Sequence, residues 1–61
     1  MSIFEMKVSI DPSVDAATEI ERVVAVVIAQ IRAGHRGAEV LNAQGHVRGW
    51  WQIEESTEVE D

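Results

Sequence analysis

The chain has 61 residues, no cysteine and a formal net charge of −6. That length allows one domain at most, and such a domain buries only about 60% of the surface its unfolded chain exposes, so its core is thin. The lack of cysteine excludes a disulfide framework and a thiolate metal site, leaves the cytosol as the default compartment, and leaves oligomerisation as the remaining support for a small scaffold.

The amino terminus has no basic stretch followed by an apolar one, so no signal peptide is expected. No apolar run approaches the roughly 20 residues of a membrane span, which points to a cytoplasmic protein with no membrane partner. From Ile3 to Ile10 the residues alternate: Phe4, Met6, Val8 and Ile10 share one side, Glu5, Lys7 and Ser9 the other. Period-two alternation predicts a half-buried strand. Asp11-Pro12-Ser13 ends it, because proline fixes φ and biases the residue before it away from helix.

A helix is expected from about Val14 to Ala33. Ser13 or Asp15 can cap its first amides, and Asp15 and Glu19 suit the positive end of the helix dipole. Arg32 stands at the other end, and Gly34 suits the left-handed position after a helix. Ala17, Ile20, Val23, Val24, Val27, Ile28 and Ile31 form a broad apolar face. The β-branched run from Val23 to Ile28 carries some strand propensity, but the polar spacing and the caps favour helix.

The next segment reads as a hairpin, with arms Gly37 to Leu41 and Val47 to Glu54. Between them Asn42-Ala43-Gln44-Gly45 matches a type I turn with a glycine bulge. Together these elements predict an α+β domain over residues 1–54: β-α-β-β, a three-stranded antiparallel sheet with one helix packed on one face. Residues 55–61 are read as an acidic, disordered tail. Up to Ile53 six acidic residues face five basic ones, and the other five acids all lie from Glu54 onward. The nearly neutral body lacks the basic footprint that direct nucleic-acid binding needs, whereas the acidic end suits a basic protein surface.

Two features sit awkwardly in a monomer. Placing Ile20 at the centre of the buried helix stripe leaves Arg22, Val26, Ala29 and Ala33 on a second face, with Thr18 and Ala25 beside them. Small residues there would let another helix approach, so these four are the candidate oligomer interface, a dimer being favoured; alanine's ordinary helix propensity is the alternative explanation. The second feature is Trp50-Trp51. Adjacent strand residues point to opposite faces. Trp51 shares parity with Val47, Gly49 and Ile53 and is expected in the core. Trp50 shares parity with Arg48, Gln52 and Glu54, and these four are the candidate partner-binding set. Tryptophan is enriched at binding hot spots, and Arg48 could stack on the ring or reach a carboxylate.

Chemistry-bearing patterns are weak. His35 and His46 lack a companion carboxylate or thiol at metal-ligand spacing, so no metal or other cofactor is expected. Ser2, Ser9, Ser13 and Ser56 are not near a histidine in a catalytic order. Glu19 and Glu21 fit a solvated helix face. The Gly34-His35-Arg36-Gly37 loop could hold an anion, but a connecting turn explains it better. No enzymatic activity is expected.

The segment AEVLNAQGHVRGWWQI, following a strand, a helix and Ala33-Gly34, resembles short, functionally uncharacterised bacteriophage proteins with a hairpin of the form GxVLDxNGNxVGxWxI. Val40-Leu41-Asn42, Gly45, Gly49, Trp51 and Ile53 fall on that pattern without a gap. Asn42 replaces the usual aspartate, Gln44 the first asparagine of the turn, and Arg48 the usual valine. The resemblance implies a phage origin and a β-α-β-β fold, and no biochemical activity. Small size, the absence of a catalytic pattern, the exposed Trp50 beside Arg48 and the acidic end make the leading expectation a non-enzymatic phage protein that binds a host or phage protein, foremost as an inhibitor of a host defence system such as an anti-CRISPR. A self-associating structural or accessory protein is the second expectation. The third is an oligomeric sponge for an anionic nucleotide signal, held by Arg36, His35 or Arg48.

Overall fold

In the computed structural model, which describes residues 1–55, the elements follow as β1 (Ser2–Val8), α1 (Ala16–Arg32), β2 (Gly37–Leu41) and β3 (Val47–Glu55). The strands form one antiparallel sheet in the order β1-β3-β2. This is the expected α+β, β-α-β-β architecture. The sheet order adds a constraint that local sequence does not carry. β1 and β2, joined through the helix, run parallel to each other with β3 inserted between them, a split β-α-β arrangement.

Local chemistry sets each boundary. β1 starts at Ser2 and stops at Val8, short of the expected Ile10; Ser9 still donates its N–H to the Arg48 carbonyl at 2.8 Å, and the chain then turns. The Asp11 carboxylate takes the Ser13 N–H at 2.9 Å, so Ser13 belongs to the turn and Asp15 is the cap. Asp15 accepts from the Thr18 amide at 3.0 Å and the Thr18 hydroxyl at 2.7 Å. The helix therefore begins two residues later than Val14. At its other end Gly34 adopts φ +100°, the Gly34 N–H bonds the Ile31 carbonyl, and the His35 N–H bonds the Gln30 carbonyl, both at 3.0 Å. That pairing is a Schellman motif, and it fixes the last turn on which Gln30 sits.

The hairpin forms as expected. Gly45, at φ +86°, donates to the Asn42 carbonyl at 3.0 Å, and the Asn42 side chain accepts from the amides of Gln44 and His46, each at 2.9 Å. The β2–β3 register also shifts between Val40 and Leu41, a bulge that the sequence did not suggest. β3 continues through Glu55, which accepts from the Ser2 hydroxyl and pairs with Arg36. The expected tail thus loses its first residue to the sheet, and its remainder lies outside the described residues.

The buried core is small: Val23 and Val27 from the helix, Val40 from β2 and Trp51 from β3, with Val8, Ile31, Ala38 and Ile53 packed around them. Trp51 is only 1% exposed and its indole N–H donates to the Gln30 side-chain oxygen at 2.8 Å. Burying an indole contributes at most about 5 kcal/mol on an area basis, as much as the whole net stability expected at this size. The tether also positions the helix. Val23 and Val27 lie at the centre of the buried stripe, and Ile20, expected there, is 48% exposed.

At Gly49 the strands approach closely. A Cβ built there would collide with the Lys7 carbonyl and lie 2.7 Å from the Val8 Cα. Gly49→Ala is therefore expected to cost at least about 3 kcal/mol and leave most of the chain unfolded. Circular dichroism with thermal melting checks this; a cooperative transition near the wild-type midpoint would contradict it.

Several surface carboxylates also tie stability to pH. The Thr18 hydroxyl, then its amide, holds Asp15 below its ordinary pKa; the Ser13 amide, then its hydroxyl, does the same for Asp11, and Arg22 for Glu19. A depressed folded pKa contributes stability that is complete above the unfolded value and is lost as pH falls through the folded one. The melting midpoint should therefore fall on acidification through and below the ordinary carboxylate range. Asp15→Asn, which keeps a cap acceptor but cannot titrate, should show a shallower fall than wild type; an equal slope would remove Asp15 from the account.

Candidate functional site

β3 is the central strand, so its outward side chains form the middle of the helix-free face. Trp50 stands there, 43% exposed, opposite Lys7 of β1 and Glu39 of β2. This row places an aromatic ring between a cation and an anion. The next row couples Gln52 to Glu5 through a 2.8 Å hydrogen bond from the Gln52 amide, and beyond it Glu54 lies opposite Ile3, which is also exposed. Strand parity thus places Trp50, Gln52 and Glu54 on one surface, as the sequence suggested.

Arg48 has a different setting. Its carbonyl receives the Ser9 N–H, and the residue lines a shallow polar hollow with Ser9, Asp11, Ser13, Asn42 and Gln44. There its charge adds a minor pull to the lowered pKa of Asp11, after the two Ser13 hydrogen bonds. Among the described residues no aromatic contact joins Arg48 to Trp50. Of the two expected roles, proximity to a carboxylate is the one the geometry favours.

The proposed oligomer set separates. Arg22 binds Glu19 at 2.7 Å and donates to the Leu41 carbonyl at 2.9 Å, so it fastens the helix to the end of β2. Val26, 46% exposed, borders the groove between helix and β2 together with Val40 and Glu39. It lies on a flank of the helix and not on its far side. Ala29 and Ala33 are exposed, Ala33 as the C-cap residue. Arg36 is paired with Glu55 at 2.8 Å, and His35 and His46 stand at opposite ends of β2.

A further surface escaped the sequence reading. On the opposite flank of the helix a groove is lined, among the described residues, by the apolar side chains of Phe4, Met6, Val24, Val27, Ile28 and Ile31. Phe4, the aromatic neighbour of Trp51 at a 6.3 Å ring separation, remains 51% exposed. Ile20, Val24 and Ile28 repeat at the same i, i+4, i+8 spacing as Val23, Val27 and Ile31. Two parallel β-branched stripes on one helix were the available signal that one of them would face outward.

Among the described residues no buried side-chain polar atom lacks a partner, and no helix is long and apolar enough to cross a membrane. No protein family, curated protein or solved structure matches the chain.

The two tryptophans make the site directly observable. Trp50→Phe should leave a blue-shifted emission that acrylamide quenches poorly, whereas Trp51→Phe should leave a red-shifted, readily quenched one. Equal quenching in the two variants would contradict their placement on opposite faces.

Proposed function

We propose that the chain is a non-enzymatic protein-binding module of bacteriophage origin whose contact surface is the helix-free face of the sheet, and that its partner belongs to a host defence system, as for an anti-CRISPR or other anti-defence factor. The observation that carries this reading is the exposure of Trp50 at the centre of that face, between Lys7 and Glu39. A large amphipathic ring with few rotamers loses little entropy on docking, and charges on either side of it orient a partner. The concentration of acidic residues after Ile53 favours a partner with a basic patch. The resemblance of the hairpin to phage proteins supplies the biological setting.

A second reading, a self-associating accessory protein, is favoured by the apolar groove beside β1. The two readings concern different faces and are compatible.

Expression in bacteria with an active defence system should restore phage plating. Trp50→Ala, folded by circular dichroism, should abolish that effect and weaken binding to the purified target about thirtyfold or more. Full activity of a folded Trp50→Ala variant would refute this surface, and unchanged plating across CRISPR and other defence hosts would refute the anti-defence role.

A further inference from the structure

We infer that β1 is a self-recognition edge, along which two copies of the chain pair antiparallel about a two-fold axis through Met6 and extend each 3-stranded sheet into a continuous one. This goes beyond the partner-binding reading and does not depend on it.

Backbone geometry comes first. The Ser9 N–H points inward to the Arg48 carbonyl, and alternation along an antiparallel pair then turns the N–H and C=O of Phe4, Met6 and Val8 to the open side of β1. β1 pairs with β3 over seven residues without a register shift. The other edge is blunted: β2 has only five residues, its register on β3 breaks where Arg48 of β3 is left unpaired opposite Val40 and Leu41, and Arg22 already occupies the Leu41 carbonyl.

Side chains then select a register. Phe4-Glu5-Met6-Lys7-Val8 is symmetric in character, with apolar ends and centre and opposite charges between them. With Met6 opposite the partner's Met6, Glu5 meets the partner's Lys7 and Phe4 meets the partner's Val8, each twice by symmetry. Moving the axis by one residue to Glu5 or Lys7 sets that residue's charge against its own copy. An axis between residues would oppose side chains from different faces of the sheet. Among the described residues neither Glu5 nor Lys7 has an ion-pair partner. Glu5 uses one carboxylate oxygen for Gln52, which leaves the other for a lysine across the axis.

Packing agrees with this register. An axis perpendicular to the sheet keeps both helices on one side, so the second copy's Phe4, Met6 and Val8 would adjoin the groove that exposes Phe4, Met6 and Ile28. The same symmetry places both Trp50 rings on one shared helix-free face.

Sedimentation equilibrium of the full chain and a charge-swap set tests the inference. Wild type should sediment as a dimer of the 6.8 kDa chain. Glu5→Lys and Lys7→Glu should each weaken the dimer roughly tenfold, and the double swap should restore it, because only opposed Glu5 and Lys7 regain their attraction. Met6→Cys, in a chain otherwise free of cysteine, should oxidise to a covalent dimer. A monomer at sub-millimolar concentration would overturn the inference. So would a double swap no better than either single variant, absence of the Met6→Cys cross-link, or association abolished by Val26→Arg and indifferent to the charges, which would place the interface on the helix flank.

Discussion

The fold depends on one side chain held at two ends. Trp51 fills the space under Val23 and Val27, and its indole N–H is bound by Gln30 on the last turn of the helix. A chain this short has little other buried surface, so an indole with its polar atom satisfied determines both how stable the helix–sheet contact is and where it lies. Gln30 is itself fixed, since its carbonyl receives the His35 N–H in the motif that Gly34 closes. Helix termination, helix position and core burial are therefore one linked arrangement.

That arrangement determines what is left exposed. Because Trp51 lies on the central strand and its tether draws the helix over Val40, the inner side of β1 is only partly covered. Phe4, Ile20 and Ile28 remain accessible on that flank. The next residue along β3, Trp50, necessarily points the other way. Both functional surfaces proposed above follow from the placement of a single tryptophan: one as the reverse face of the same strand, the other as the edge that the helix does not reach.

Sequence reading recovered the parts of this structure that rest on local chemistry. Alternation located β1, the proline of Asp11-Pro12-Ser13 marked its end, and Gly34 and Gly45 occupy the positive-φ positions their contexts require. Parity alone separated Trp50 from Trp51. The parts that depend on tertiary packing were not legible. Two helix stripes with identical spacing compete for the core, and the choice of Val23 and Val27 over Ile20 follows from the Trp51–Gln30 pair across 21 residues of sequence. Arg22 reads as a surface arginine until the Leu41 carbonyl is seen within its reach. Likewise, insertion of β3 between β1 and β2 and the close approach at Gly49 are properties of the assembled sheet.

A double-mutant cycle on Trp51 and Gln30 tests the central claim most directly. By equilibrium unfolding at fixed protein concentration, Gln30→Met, which keeps the side-chain length but removes the acceptor, is expected to cost about 1–3 kcal/mol when Trp51 is present. In the Trp51→Phe background, where no indole N–H needs a partner, the same change should cost far less, giving a coupling energy of about 1 kcal/mol or more. An equal cost in both backgrounds would contradict the account, because the helix would then be positioned by something other than this pair.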